Sequence, residues 1–72
     1  MEARIERAIK LVGGVETDWK IFENGGGVVN KTATVGKTAF LGEQVIVAGD
    51  GQVCDGAVLD GDMIVDGNVR EV

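Results

Sequence analysis

The stretch that decides the fold is residues 29–70, VNKTATVGKTAFLGEQVIVAGDGQVCDGAVLDGDMIVDGNVR, which divides into seven consecutive hexads. The first position of every hexad is aliphatic: Val29, Val35, Leu41, Val47, Val53, Leu59 and Val65. The fifth position is small or apolar throughout, and the second is small and tolerates turns. This period predicts a mainly β solenoid in which each hexad is one short strand and a corner, with the first and fifth residues facing inward.

An alternative interpretation takes the Asp-Gly pairs that begin at Asp50, Asp55, Asp60 and Asp66 as hairpin turns. It leaves strands of only three or four residues, which are too short to form stable hairpins. A helix is disfavoured over the same region by its many glycines and β-branched residues.

The hexad pattern resembles the bacterial hexapeptide-repeat family, whose motif is an aliphatic residue, a small residue, two free positions, a small or apolar residue and one more free position. The resemblance covers residues 29–70 and implies a left-handed parallel β-helix with three hexads per coil, commonly assembled as trimers. Acyltransferases of this kind generally use a histidine as general base, and the related carbonic anhydrases bind zinc through histidines. The 72 residues contain no histidine, so we predict a protein that is not an enzyme and holds no cofactor or metal ion.

The chain divides into a helix in residues 1–13, a connecting strand and Gly-rich turn in 14–28, and the β-solenoid in 29–72. Within the first segment, four apolar residues fall at helical spacing: Ile5, Ala8, Ile9 and Val12. A helix of about three turns is marginal alone, so this apolar face is expected to dock on the rest of the chain. We expect the helix to cap or bundle one end of the solenoid.

The sixth position of each hexad is expected to project outward. With three hexads per coil, Thr34, Gln52 and Arg70 stack as a polar column, whereas Phe40 stacks over Val58 and Ile46 over Ile64. Two adjacent apolar columns on the outside of a small protein indicate self-association. Phe40, Ile46, Val58 and Ile64 are therefore the predicted interface of a homotrimer, with a dimer as the second choice. The trimer would consist either of short β-helices or of three intertwined chains that contribute one strand each.

Charge and cysteine content restrict the partners. The net charge of −5 argues against nucleic-acid and membrane-surface binding, and no apolar run reaches the roughly 20 residues that span a bilayer. The single Cys54 cannot form an internal disulfide, which fits assembly in a reducing compartment. We also expect a complete short chain, beginning at Met1, whose two ends are held in a larger assembly.

Several small motifs have both a functional and a structural interpretation. Gly36-Lys37-Thr38 matches the tail of a phosphate-binding loop, but residue 31 is Lys where that loop needs glycine. The run Gly25–Gly27 could cradle an anion, yet relief of crowding at the entry to the first coil is favoured. Trp19 could stack on a sugar, and burial against the first coil is favoured. Cys54 has no histidine to activate it and is interpreted as a small filler.

The aspartates of residues 38–69 raise the question of calcium. This stretch contains no Lys or Arg, and stacked carboxylates can bind Ca²⁺. The Asp-Gly steps recur at five, five and six residues, unlike the nine-residue calcium repeat, so a solvated face of turn-forming aspartates is favoured.

These features lead to one functional expectation and two alternatives. A tiny, acidic, trimeric subunit suits the decoration or cementing of a phage capsid shell, which places it in the virion after assembly in the bacterial cytoplasm. The alternatives are a small ligand- or glycan-binding module and a catalytically dead relative of the hexapeptide acyltransferases, either of them cytoplasmic.

Overall fold

Short strands and an N-terminal helix make up the computed structural model, which describes residues 2–66 together with 68 and 69. Helix α1 spans Ala3–Leu11, and a short 3₁₀ helix at Glu16–Asp18 leads into the first strand. The strands are β1 Trp19–Ile21, β2 Val28–Asn30, β3 Thr34–Val35, β4 Phe40–Leu41, β5 Val45–Val47, β6 Gln52–Val53, β7 Val58–Leu59, β8 Met63–Val65 and β9 Asn68–Val69. The helix is shorter than the predicted 1–13 and ends before Gly13 and Gly14, which both have positive φ.

The strands form three sheets whose neighbours are mostly distant along the chain. Their orders are β1-β2-β5-β8, β3-β6-β9 and β4-β7. Strand β1 pairs antiparallel with β2, and the other pairs in the described residues are parallel. Each strand from β5 to β8 therefore pairs with strands three elements away. The hairpin interpretation of the Asp-Gly pairs is wrong, because within the described part of residues 29–69 each strand pairs with a strand three elements away and consecutive strands do not pair.

The parallel pairs share one register over most of the repeat region. Val29 lies beside Val47 and Val47 beside Val65, and each is the first residue of its hexad. The same offset places Phe40 beside Val58 and Leu41 beside Leu59. A residue and its partner on the neighbouring strand are therefore three hexads apart in the sequence, and residues at the same hexad position lie side by side.

The last parallel pair departs from this register. Asn68 lies beside Gln52 and Val69 beside Val53, so this offset is shorter than three hexads by two positions. The predicted place of Arg70 beside Gln52 is therefore wrong, and the side chain of Arg70 lies outside the described residues. The full offset of three hexads would have set Glu71 beside the buried Val53, whereas the shorter step sets a valine there.

The aliphatic first positions form the main core. Six of the seven are buried, and they pack with Ala39, Val45 and Ala57 from the fifth positions. Val35, on the edge strand β3, is only partly buried and lines an open cavity. The fifth position is not inward throughout: Met63 is exposed on β8, the outermost described strand of its sheet.

Helix α1 lies on the outer face of the β1-β2-β5-β8 sheet, so the expectation that it caps one end is wrong. Arg4 donates from Nη1 to the Gly26 carbonyl at 2.9 Å, and Arg7 donates from Nη1 to the Gln44 carbonyl at 3.1 Å. Gly26 and Gln44 are themselves separated along the chain by the same offset of three hexads. Three helical residues rise about 4.5 Å, close to the roughly 4.8 Å between strands, so the two arginines match successive strands of the sheet.

Aspartates explain several glycines at the corners. A methyl group on Gly36 would overlap the carboxylate of Asp55, and one on Gly42 would overlap that of Asp60. The Asp55 carboxylate also accepts a hydrogen bond from the Thr38 N–H at 3.3 Å. Asp55 and Asp60 therefore pack against glycines that lie 19 and 18 residues earlier in the chain. The aspartates of the turns contribute to packing as well as being exposed to solvent.

We expect Gly42→Ala to lower the free energy of unfolding by about 1–3 kcal/mol, the usual cost of overpacking a tight site. The φ of Gly42 is not in the left-handed region, so the collision with Asp60 is the main cost. Asp60→Ala alone should change stability little, and Gly42→Ala combined with Asp60→Ala should recover most of the loss. Urea unfolding of the three variants measures this, and a double variant no more stable than Gly42→Ala would contradict it.

Candidate self-association surface

The predicted interface rests on the sixth position of each hexad, and the strand register brings two pairs together. Phe40 lies beside Val58 across β4 and β7, and Ile46 lies beside Ile64 across β5 and β8. Both pairings agree with the predicted columns. The four residues differ in burial, because the N-terminal segment covers Ile46 and part of Phe40 and leaves Val58 and Ile64 exposed.

Ile46 is not part of an exposed surface, so its prediction as an interface residue is wrong. It is 1% exposed and packs in a second core cluster with Ala8, Trp19, Val28 and Ala48. Three isoleucines of the N-terminal segment pack against this cluster: Ile5, Ile9 and Ile21. The sequence did predict an apolar helix face that must dock, but not that this outward column is where it docks.

Trp19 holds the covering segment in place. The predicted burial of the indole ring is confirmed, since the residue is 5% exposed. Its Nε1 donates to the Gly13 carbonyl at 3.1 Å, which ties the strand to the end of the helix. A ring buried in this way offers no face on which a sugar could stack.

Val58 and Ile64 remain accessible after the helix has docked. Val58 is 72% exposed and Ile64 is 48% exposed. They lie on consecutive strands, and the exposed Met63 precedes Ile64. Phe40 is partly buried, because its ring lies against Gly25, where an added Cβ would be 3.0 Å from Cε2. Met63 and Ile64 are adjacent in β8, so their side chains face opposite sides of the sheet, and Met63 is on the side of the main core. The candidate surface is therefore Val58 and Ile64, with the exposed part of Phe40 beside Val58.

A second apolar group lies at the C-terminal end of α1 and was missed in the sequence. Leu11, Val12 and Val15 are all exposed. Val12 was assigned to the docking face of the helix, and that assignment is wrong because the helix ends at Leu11 and the chain turns away. The glycines at residues 13 and 14 were the signal for this turn, since both adopt positive φ.

Electrostatic contacts help to fasten the covering segment, residues 2–21. Glu2 caps α1 by accepting from the Arg4 N–H at 2.7 Å. The side-chain hydrogen bond from Arg4 and this backbone N–H lower the pKa of Glu2 to about 2. The Val15 N–H and then Lys31 lower the pKa of Asp18. Arg7 also forms an ion pair with Asp62 at 3.5 Å.

The smaller motifs take structural positions. Lys37 and Thr38 are exposed turn residues between β3 and β4, without the strand and helix of a phosphate-binding loop. A methyl group on Gly25 would overlap the Leu41 carbonyl, so crowding explains this glycine. Cys54 is exposed and free. Among residues 2–66 no group of three carboxylates or thiols is placed to hold a metal ion.

Comparison of the chain with protein-family models, with curated proteins and with solved structures gives no match. Within the described part of the chain, no helix has the length and apolar character needed to cross a membrane.

Ile46→Ala and Ile64→Ala form a matched pair, since the two isoleucines are neighbours on parallel strands. We expect Ile46→Ala to lower the free energy of unfolding by about 2–5 kcal/mol, because it opens a cavity under α1. Ile64→Ala should cost the monomer less than about 1 kcal/mol, since the side chain is largely solvated. Chemical unfolding at low protein concentration measures both, and equal losses would contradict the assignment.

Acid should loosen the start of α1. A lowered pKa means that the Glu2 carboxylate is favoured in the folded state, so its contribution is present above pH 4.5 and is lost as the pH falls towards about 2. Circular dichroism should show helix loss in this range for the wild type. Glu2→Gln should begin with less helix and lose less of it on acidification. An acid transition of the same size in both proteins would argue against the Glu2 cap.

Proposed function

We propose that the chain is a hexapeptide-repeat β-solenoid, in which the three sheets are successive faces of a parallel coil. The repeated offset of three hexads supports this, because three hexads make one turn of such a coil. The burial of valine and leucine at the first hexad position supports the same register. Strand β1 and helix α1 are then additions that cover the beginning and one face of the coil.

We propose that this solenoid is a non-catalytic structural subunit that associates with copies of itself as a trimer. The observation that carries the proposal is the exposure of Val58: this valine lies within strand β7, and the residue is 72% exposed. Burial of a valine or isoleucine side chain contributes about 1.5–3 kcal/mol of favourable free energy, so burial of Val58 and Ile64 between subunits would stabilise an oligomer substantially. The docked helix covers Ile46 and leaves these two uncovered, which limits the interface to one part of the surface.

The proposed role of the trimer is to decorate or cement a larger protein assembly such as a phage capsid. A small domain with no disulfide has little stability to spare, and association with copies and with a shell supplements its core. The charge of −5 favours a protein partner over nucleic acid or an anionic membrane. On this proposal the protein resides in the virion after assembly in the bacterial cytoplasm.

The burial of Trp19 weighs against the glycan-binding alternative, which needed an exposed ring. The alternative of a dead acyltransferase rests on the resemblance of the hexads, and the sequence offers no histidine for that chemistry.

We expect native mass spectrometry and sedimentation at micromolar concentration to give a trimer, and Val58→Asp to weaken it at least about tenfold, because a buried unpaired carboxylate is costly. Gln52→Asp is the matched control: it adds the same charge at an exposed sixth position of a different sheet and should leave the trimer intact. A wild-type protein that is a folded monomer at this concentration, or a Val58→Asp variant that assembles normally, would overturn the proposed association.

A further inference from the structure

The first parallel strands of the three sheets are β2, β3 and β4, and they differ in whether their outer edge is paired. Strand β2 is covered by β1, which pairs with it along its whole length. Strand β4 is covered by the loop that follows β1: the Leu41 N–H donates to the Asn24 carbonyl and the Gly27 N–H donates to the Leu41 carbonyl, both at 3.0 Å. Strand β3 lies at the edge of its sheet with β6 as its neighbour.

The backbone of Val35 is therefore left facing outward at this edge. The Thr34 N–H donates to the Gly51 carbonyl at 2.9 Å and the Gly36 N–H to the Val53 carbonyl at 2.8 Å. In a parallel ladder alternate residues bond to opposite sides, so the N–H and C=O of Val35 point away from β6. Within the described residues neither group has a hydrogen-bond partner.

Leu41 shows what fills the equivalent position. It holds the same place in the next hexad, and its neighbours Phe40 and Gly42 donate to β7 as Thr34 and Gly36 donate to β6. Its own N–H and C=O are both satisfied by a segment of polypeptide. The complementary group for Val35 is likewise one peptide carbonyl and one peptide N–H. At Leu41 a turn supplies the two groups from Asn24 and Gly27, and a parallel strand would supply them from residues two positions apart.

Space for such a segment lies beside the edge. An open cavity of about 530 Å³ is lined by Phe22, Glu23, Asn24, Val35 and Lys37. Phe22 and Val35 give it an apolar floor that continues into the main core. Glu23 and Lys37 are exposed and of opposite charge, so a segment with little net charge is accommodated.

We propose that the open edge of β3 is a binding site for an extended peptide segment of a partner protein, which adds as a strand and exchanges two backbone hydrogen bonds with Val35. An apolar side chain of that segment would lie over Phe22 and Val35. This site is independent of the Val58 surface, which belongs to a different sheet.

The test uses isotope-labelled full-length protein and the acetylated, amidated hexapeptide Lys-Thr-Ala-Thr-Val-Gly, the sequence of residues 31–36 that β6 already accepts in parallel alignment. In the free protein the Val35 amide should exchange with solvent at least about tenfold faster than the Leu41 amide. Addition of peptide to about 5 mM should slow Val35 exchange at least about tenfold and leave Leu41 unchanged.

Peptide controls keep the result specific to strand addition. Adjacent amides of a strand face opposite sides, so a peptide methylated on the alanine nitrogen and one methylated on the next threonine nitrogen should differ. One should bind as the parent does and the other should have no effect. Equal behaviour of the two would overturn the proposal, as would a Val35 amide that is already as protected as that of Leu41, or one that does not respond to peptide.

Variants separate the two surfaces. Val35→Pro removes the outward donor and leaves the bonds to β6 in place, so it should abolish the response to peptide, read on the Gly36 and Lys37 amides, without altering the mass of the assembly. Val58→Thr should weaken self-association and leave the peptide response unchanged. If Val35→Pro proves unstable, the pair of methylated peptides decides the question on the wild-type protein.

Discussion

Parallel hydrogen bonding between strands three hexads apart is the constraint on which the remaining structure depends. Each strand has only two or three residues, too few to pair stably alone, so the strands are held because each stacks on another of the same kind. A register fixed in this way decides every side chain at once: a shift of one residue would turn Leu41 and Leu59 outward. The glycines beneath Asp55 and Asp60 follow from the same stacking, because residues at corners approach as closely as residues in strands.

A repeat that stacks so readily needs a defined beginning, and the N-terminal segment supplies it. Strand β1 runs antiparallel to β2, so it ends the parallel series on that sheet. The loop after β1 occupies the edge of β4 through Asn24 and Gly27. At this end of the protein the edges of two sheets are therefore blocked, which discourages end-to-end stacking of copies and is consistent with the proposed association through a lateral face.

The strand register could be predicted from the sequence because it depends on a period, and a period is a property of the chain alone. Which of the outward residues stay exposed depends on where α1 docks, and the hexad pattern carries no information about the position of the helix. Ile46 and Ile64 have the same residue type and hexad position, yet one is buried beneath Ala8 and the other is half exposed. The shortened final step that sets Val69 beside Val53 was also missed, because the aliphatic frame continues unbroken to Val65.

The structure covers one apolar column and leaves another exposed, as the proposed self-association requires. Arg4 and Arg7 donate hydrogen bonds to the carbonyl groups of Gly26 and Gln44, which lie three hexads apart. These two bonds fix the orientation of the helix on the sheet, in addition to the packing of its apolar face. Val58 stays 72% exposed, although the N-terminal segment carries three further exposed apolar residues, Leu11, Val12 and Val15. The chain buries Ile46 with Trp19 and leaves Val58 bare, an arrangement that fits a surface kept for another molecule.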